Sequence, residues 1–179
     1  MKNTMNHFQF VHSEEQVAAV VRLAHEIWQE HYVPIIGQKQ VDYMVAKFQS
    51  AHSIIAQLSD TYEYYLVSHQ GQDLGYVAIV PDRTGPTLML SKIYILKSAR
   101  GLGLEKQTLY FVEDLYFQRG INQIWLSVNK YGLDAIAWYA RMGFRNAGPT
   151  RQGIGEGFVM DDFRLVKTIT IPVSVRDAP

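Results

Sequence analysis

Near the N-terminus, Val17, Val20, Val21, Ala24, Ile27, Trp28 and His31 fall at helical spacing, the mark of a helix with one covered face. Ser13 and Gln16 just ahead form a capping-box pair, because each side chain can satisfy the other's free backbone N–H. Pro34 and Gly37 predict that this helix ends before them. A second helix is predicted over residues 38–49, with Val41, Met44, Val45 and Phe48 on one face, and residues 53–58 add a short helical turn. Ahead of all this, residues 7–12 read as a first strand.

The period then changes. Residues 62–68, 74–80 and 87–96 are apolar and β-branched runs, separated by Gln70-Gly71-Gln72-Asp73 and by Pro81-Asp82-Arg83-Thr84-Gly85-Pro86. Such runs between turn residues predict an antiparallel meander. A helix over 102–119 closed by Gly120, a strand over 123–129 and a helix over 133–142 with Gly143 as its left-handed cap come next. Strands near 144–147 and 158–167 follow, joined by Gly153-Ile154-Gly155-Glu156-Gly157. The tail, 168–175, alternates apolar and polar residues but contains Pro172, so it reads as an edge strand or a partner-binding arm. This order makes a single mixed α+β domain over 1–179, with a strand-turn-helix unit at its centre.

Composition narrows the chemistry. With 47% hydrophobic and 12% aromatic residues, the 179-residue chain can bury a full core. Seventeen basic residues balance seventeen acidic ones, so nothing resembles the basic stripe that a nucleic-acid partner needs. Cysteine is absent, which excludes thiolate metal sites, disulfides and a cysteine nucleophile, and no metal site is predicted. The apolar stretch 17–24 is interrupted by Arg22 and is too short for a membrane span, and residues 1–11 lack a signal-peptide core. A cytoplasmic protein is the expectation.

The chemistry-bearing segment runs Leu90-Ser91-Lys92-Ile93-Tyr94-Ile95-Leu96-Lys97-Ser98-Ala99-Arg100-Gly101-Leu102-Gly103-Leu104. An apolar strand passes through Arg-Gly-x-Gly directly into a helix. Glycines let a bulky group approach the backbone, a helix start offers free N–H donors, and Arg100 and Lys106 add positive charge. That suits a phosphate or pyrophosphate; a tight turn that merely packs a helix on a sheet has the same local pattern. The Gly-Lys-Ser/Thr ending of a P-loop and the third glycine of a dinucleotide fingerprint are both missing.

A second segment, Val128-Asn129-Lys130-Tyr131-Gly132-Leu133-Asp134-Ala135-Ile136-Ala137-Trp138-Tyr139-Ala140-Arg141-Met142-Gly143-Phe144, resembles the closing motif of the GNAT acyltransferase superfamily. Arg100-Gly101-Leu102-Gly103 lies upstream, where that family keeps its Arg/Gln-x-x-Gly-x-Gly/Ala signature. The resemblance covers about residues 60–167. It implies a mostly antiparallel sheet of about seven strands, split after the fourth and flanked by about four helices, with acetyl-CoA as co-substrate and no metal. Backbone groups around Ile93, Tyr94 and Ile95 would hold the pantetheine arm and polarise the thioester carbonyl. Amides from Arg100, Gly101, Leu102, Gly103, Leu104, Glu105 and Lys106 would cradle the pyrophosphate, and Asn129 would contact the cofactor. Tyr139 would protonate the departing thiolate. Three positions depart from the family pattern: Glu105 stands where glycine or alanine is usual, Lys97 replaces a common proline and Gly132 a frequent asparagine.

The acceptor side is less defined. No carboxylate lies in residues 87–96, so a base must come from elsewhere: Glu26, Glu30 and His31, Glu63, or Asp161 and Asp162. Glu30 and His31 precede Tyr32 and Pro34, where they border an acceptor pocket or simply end a helix. Tyr62, Tyr64 and Tyr65 with Glu63 form either an amine pocket or half-buried sheet residues. Strand alternation sends Asp161 and Asp162 to opposite faces, and a buried one needs a partner such as Arg164, Lys92 or a cationic substrate. Trp28, Trp125 and Trp138 read as core. These readings give an N-acetyltransferase acting on the primary amine of a small molecule or peptide, by direct attack in a ternary complex. The alternatives are a catalytically weak acyl-CoA-binding or regulatory module, or an interaction domain built on the tail; a homodimer through the tail suits all three, and no membrane partner is expected.

Overall fold

A computed structural model describes residues 6–170. The tail strand predicted over 168–175, including Pro172, lies outside the described residues from 171 onward, as do residues 1–5 of the N-terminal reading. The element order is β1 (Asn6–Phe10), α1 (Glu14–Ile36), α2 (Gln38–Phe48), α3 (Ala51–Asp60), β2 (Glu63–His69), β3 (Gln72–Pro81), β4 (Thr87–Ile95), α4 (Leu104–Phe117), β5 (Gln123–Asn129), α5 (Leu133–Arg141), β6 (Arg145–Gly155) and β7 (Phe158–Thr168). A short 3-10 turn, Lys97–Ala99, precedes α4. Seven strands hydrogen-bond in the order β1-β2-β3-β4-β5-β7-β6. The pairs β1–β2, β2–β3, β5–β7 and β6–β7 are antiparallel. β4 and β5 run parallel and pair only as Thr87↔Gln123, Leu88↔Ile124 and Met89↔Trp125, so the sheet splits after its fourth strand, as expected.

The chain divides into two compact units. The first runs to Val80 and resumes over Ser91–Thr108; the second takes Pro81–Leu90 and everything from Leu109. In the first, the Ser13–Gln16 capping box opens α1 as predicted, with Gln16 N–H donating to Ser13 Oγ at 3.3 Å and Ser13 N–H to Gln16 Oε1 at 3.1 Å. α1 packs on α2 and α3 through buried Val20, Leu23, Ala24 and Ile27, with Val41 and Ile54 beneath. β2 is buried continuously from Tyr64 to Val67, the mark of a strand covered on both faces.

Several boundaries depart from the sequence expectation. α1 passes through Pro34 and stops only at Gly37, whose N–H bonds to Val33 O at 3.0 Å. Proline sits here in the final turn, where its missing N–H removes just one bond near a free end. α3 is a full helix because Ser50 caps it, Ser53 N–H donating to Ser50 Oγ at 3.3 Å. Among the described residues five α-helices form where about four were expected. α4 begins at Leu104 rather than 102, since residues 101–103 form a loop instead.

In the second unit, Leu109, Val112 and Tyr116 of α4, Ile124 and Leu126 of β5 and Leu165 of β7 are buried. The Lys167 ammonium pairs with the Glu113 carboxylate, tying β7 to α4. β6 extends well past the predicted 147 and contains Pro149. An outer strand tolerates the missing N–H, and among the described residues β6 pairs with β7 alone. Trp28 is core, but Trp125 and Trp138 are half-buried. The Arg164 guanidinium lies 4.1 Å from the Trp125 ring centre, which covers that face of the indole with a cation.

Candidate active site

In β4 the buried and half-buried positions alternate regularly from Leu88 to Lys92, then slip by one at Ile93 and Tyr94, both half-buried, before buried Ile95. The strand is held there from one side: Leu96 N–H donates to Leu74 O at 2.8 Å. Because successive residues of a strand point their amides to opposite edges, Ile95 turns its backbone groups away from β3. The approach is close at Gly75, where any β-carbon would collide with the Tyr94 carbonyl oxygen and the Ile95 side chain. Tyr94 turns its ring into an aromatic cluster, 5.9 Å from Trp28 and 5.5 Å from Tyr76, with its hydroxyl 3.3 Å from that of Tyr32. The strand backbone at Ile93–Ile95 is therefore anchored by its neighbours.

The loop after it has the shape of an anion cradle. Gly101 and Gly103 adopt φ of 88° and 73°, which side-chain-bearing residues avoid, and nothing stands within 4 Å of the place a Gly101 β-carbon would occupy. The α4 ladder opens with Gln107 N–H donating to Gly103 O at 3.1 Å. The amides of Leu104, Glu105 and Lys106 precede it and converge on the helix start, where the dipole adds positive potential. Arg100, Gly101, Leu102, Gly103 and Lys106 are exposed, Leu104 is buried and Glu105 is half-buried.

Two α1 residues read either as bordering an acceptor pocket or as ending a helix, Glu30 and His31, meet this loop. The Glu30 carboxylate accepts from the Lys97 N–H at 3.3 Å, and His31 Nδ1 stands 3.4 Å from an Arg100 guanidinium nitrogen. Both therefore act on the 3-10 turn that leads into the glycines. Glu26 is exposed, and Glu63 accepts from the Tyr65 hydroxyl at 3.0 Å.

The aromatic amine pocket predicted around Tyr62 and Tyr64 already holds a cation from the chain itself. The Lys92 ammonium lies 4.8 Å from the Tyr62 ring centre and 5.1 Å from that of Tyr64. It donates to Gln57 Oε1 at 3.0 Å, which also accepts from the Tyr64 hydroxyl at 2.6 Å. Lys92 is only 7% exposed, and burial pushes its ammonium down to about 7. Burial likewise holds the Tyr64 phenol well above the usual range. The sequence offers Lys92 only as a partner for a buried aspartate; its contacts with Tyr62 and Tyr64 join residues distant in the chain and leave no local signal.

In the second unit, Asn129 ends β5, and its Oδ1 accepts from Tyr131 N–H at 2.9 Å, leaving the side-chain amide to donate. Tyr139 is half-buried on α5, its ring 5.0 Å from Trp138 and 5.3 Å from Phe144. The two aspartates separate as alternation requires. Asp161 pairs with Lys130, whereas Asp162 is 5% exposed and has neither Arg164 nor Lys92 as partner: Arg164 covers Trp125 and Lys92 sits among Gln57, Tyr62 and Tyr64. Burial first, and the charge of Asp161 second, push the Asp162 carboxyl up to about 6. Among the described residues no cluster of three or more histidines, cysteines or carboxylates could hold a metal ion, and no helix is long and apolar enough to cross a membrane.

Comparison with known proteins bears on both the fold and these motifs. Residues 19–144 match the acetyltransferase (GNAT) family. The chain is 31% identical over 91 residues to the 5-NmdU N-acetyltransferase of Pseudomonas phage PaMx11, a stretch that covers 51% of this chain and 63% of that protein. Among solved structures, the PaiA N-acetyltransferase from Thermoplasma acidophilum, in complex with coenzyme A, superposes with a TM-score of 0.73 at 15% identity, covering 90% of this chain and 99% of the other. A GCN5-related N-acetyltransferase from Rhodopseudomonas palustris gives 0.76 at 14% identity, over 94% and 98% of the two chains. At such identities the structural likeness speaks for the fold.

Proposed function

This chain belongs to the acetyltransferase (GNAT) family, and from that membership we propose that it moves an acetyl group from acetyl-CoA to the primary amine of a small molecule by direct attack. Bound acetyl-CoA supplies an activated carbonyl and a thiolate leaving group. The observation that carries the reading is the Gly101–Gly103 loop opening onto the first turn of α4, whose ladder starts with the Gln107 N–H, with Arg100 at its edge. The amides of that turn and the Arg100 and Lys106 charges bind the pyrophosphate, and the missing side chains at Gly101 and Gly103 let it reach the backbone. Backbone groups of Ile93, Tyr94 and Ile95 hold the pantetheine arm and donate to the carbonyl oxygen as its charge grows. Glu30 and His31 serve as positioning residues for the loop.

Asn129 donates its side-chain amide to the cofactor, and Tyr139 gives its phenolic proton to the departing thiolate. With no cysteine to carry an acyl group, both reactants must be held together, and proximity supplies much of the rate. The test is release of free thiol from acetyl-CoA with spermidine, glucosamine and an alanyl peptide offered as acceptors. Acceptor-dependent release with any one of them supports the reading, and none with all three opposes it. The half-buried Glu105 carboxylate in the first turn of α4 favours a second reading, a weak acyl-CoA-binding or regulatory module, which predicts cofactor binding without acceptor-dependent release.

A further inference from the structure

We propose that Asp162 is the base of the reaction, the group that takes the proton from the acceptor amine. The inference rests on the amine-acetylation reading above and adds the residue that reading lacks. Asp162 stands directly opposite Asn129 in the β5–β7 register and opposite Thr150 in the β6–β7 register. Directly opposed residues project side by side on the same face of a sheet, about 5 Å apart at their β-carbons. Asp162 is thus one side chain away from the residue assigned to the cofactor.

Its surroundings supply no partner. On its own strand, Asp161 faces the other way and is held by Lys130, and Arg164, on the same face as Asp162, is spent on the Trp125 ring. On β5 the same-face residues are Ser127 and Asn129, and on β6 the opposed residue is Thr150, all uncharged. No hydrogen bond to the Asp162 carboxylate is formed among the described residues. A carboxylate on a buried residue without a donor is costly, and the fold places it there without internal compensation. Asp162 keeps a trace of accessible surface, 5% for the whole residue. An entering N–H donor meets an unsatisfied acceptor there.

The step balances. The neutral amine donates a hydrogen bond to Asp162 and its nitrogen lone pair forms the N–C bond with the acetyl carbon. As that bond forms, the nitrogen becomes acidic and one N–H proton passes to the Asp162 carboxylate. The C–S bond breaks with its electron pair leaving on sulfur, which takes a proton from Tyr139. Asp162 returns its proton to solvent and Tyr139 recovers one. A carboxyl raised to about 6 is ionised at neutral pH and holds the proton more readily than an ordinary aspartate, which suits the task.

The test compares wild type with Asp162→Asn and Asp162→Glu, using acetyl-CoA and whichever of spermidine, glucosamine or alanyl peptide the wild type accepts. For Asp162→Asn the expectation is a fall in kcat of about 100-fold, unchanged affinity for acetyl-CoA, and loss of the acidic limb near pH 6. Asp162→Glu recovers part of the rate and keeps an acidic limb. A variant Asp162→Asn with wild-type rate and an intact limb overturns the assignment while the amine reading stands. So does a rate loss explained by collapse of its thermal stability, which would give Asp162 a structural task. A wild type that binds acetyl-CoA but acetylates none of the three amines overturns the amine reading, and the base assignment with it.

Discussion

Lys92 and Asp162 are two buried ionisable groups whose burial opposes their charge, in opposite directions on the pH scale. For Lys92 the cation–π contacts favour the ammonium, but burial outweighs them and the folded-state value drops to about 7 from 10.5. The folded chain holds fewer protons than the unfolded chain between those values, so the penalty is complete below pH 7 and fades as pH rises toward 10.5. Lys92→Met is therefore expected to raise stability by about 1–2 kcal/mol at pH 6, with the gap to wild type closing by pH 10; denaturant unfolding across that range measures it, and a constant gap would contradict it. For Asp162, raised to about 6 from 3.8, the folded chain holds more protons, so its penalty grows as pH rises from about 4 through 6 and is complete above. Asp162→Asn should thus unfold at or above the wild-type temperature at pH 7.5 and lose that advantage at pH 4. Tyr139→Phe keeps the ring that packs on Trp138 and Phe144 and removes only the proton source, so acetyl-CoA affinity should stay while turnover falls about 10²-fold. Unchanged turnover would take Tyr139 out of the mechanism.

At the scale of elements, the strand-loop-helix unit from β4 to α4 is where sequence and structure agree most closely in kind and differ most in detail. The strand period, the Arg-Gly-x-Gly turn and the helix were all legible, because each rests on local geometry that the residues themselves impose. The start of α4 moved two residues later, since Gly101 and Gly103 with positive φ cannot continue a helix backward. What was hidden depends on contacts distant in sequence: Glu30 bonded to the Lys97 amide, His31 against Arg100, and Lys92 in the tyrosine cage. The alternation rule placed Asp161 and Asp162 on opposite faces, but which one is buried depends on the β5–β7 register that puts Asn129 beside Asp162. Gly75 carries no sequence signal of its own, although β3 needs it for the close approach of Tyr94 and Ile95. Gly75→Ala should destabilise the fold by about 2–4 kcal/mol and weaken acetyl-CoA binding through β4, read by thermal unfolding and calorimetry together. Wild-type stability in that variant would show that the close packing of β3 on β4 carries no weight.

For the molecule as a whole, a formal charge of zero means that the anionic cofactor is not drawn by a global field, so recognition falls to local donors. The cradle supplies them from backbone amides and from Arg100 and Lys106, with Glu105 as the one opposing charge in the first turn. Family membership supports the proposed reaction type, while the shared motifs carry no signal for the acceptor, so the order of elements was readable from one sequence and the acceptor was not. The central claim is that the loop from Arg100 to Lys106 holds acetyl-CoA by its phosphates. Calorimetric titration with acetyl-CoA, dephospho-CoA and free pantetheine tests it directly. The account predicts saturable binding of acetyl-CoA that weakens stepwise as phosphates are removed, with pantetheine weakest; equal binding of all three, or none at millimolar acetyl-CoA, would contradict it.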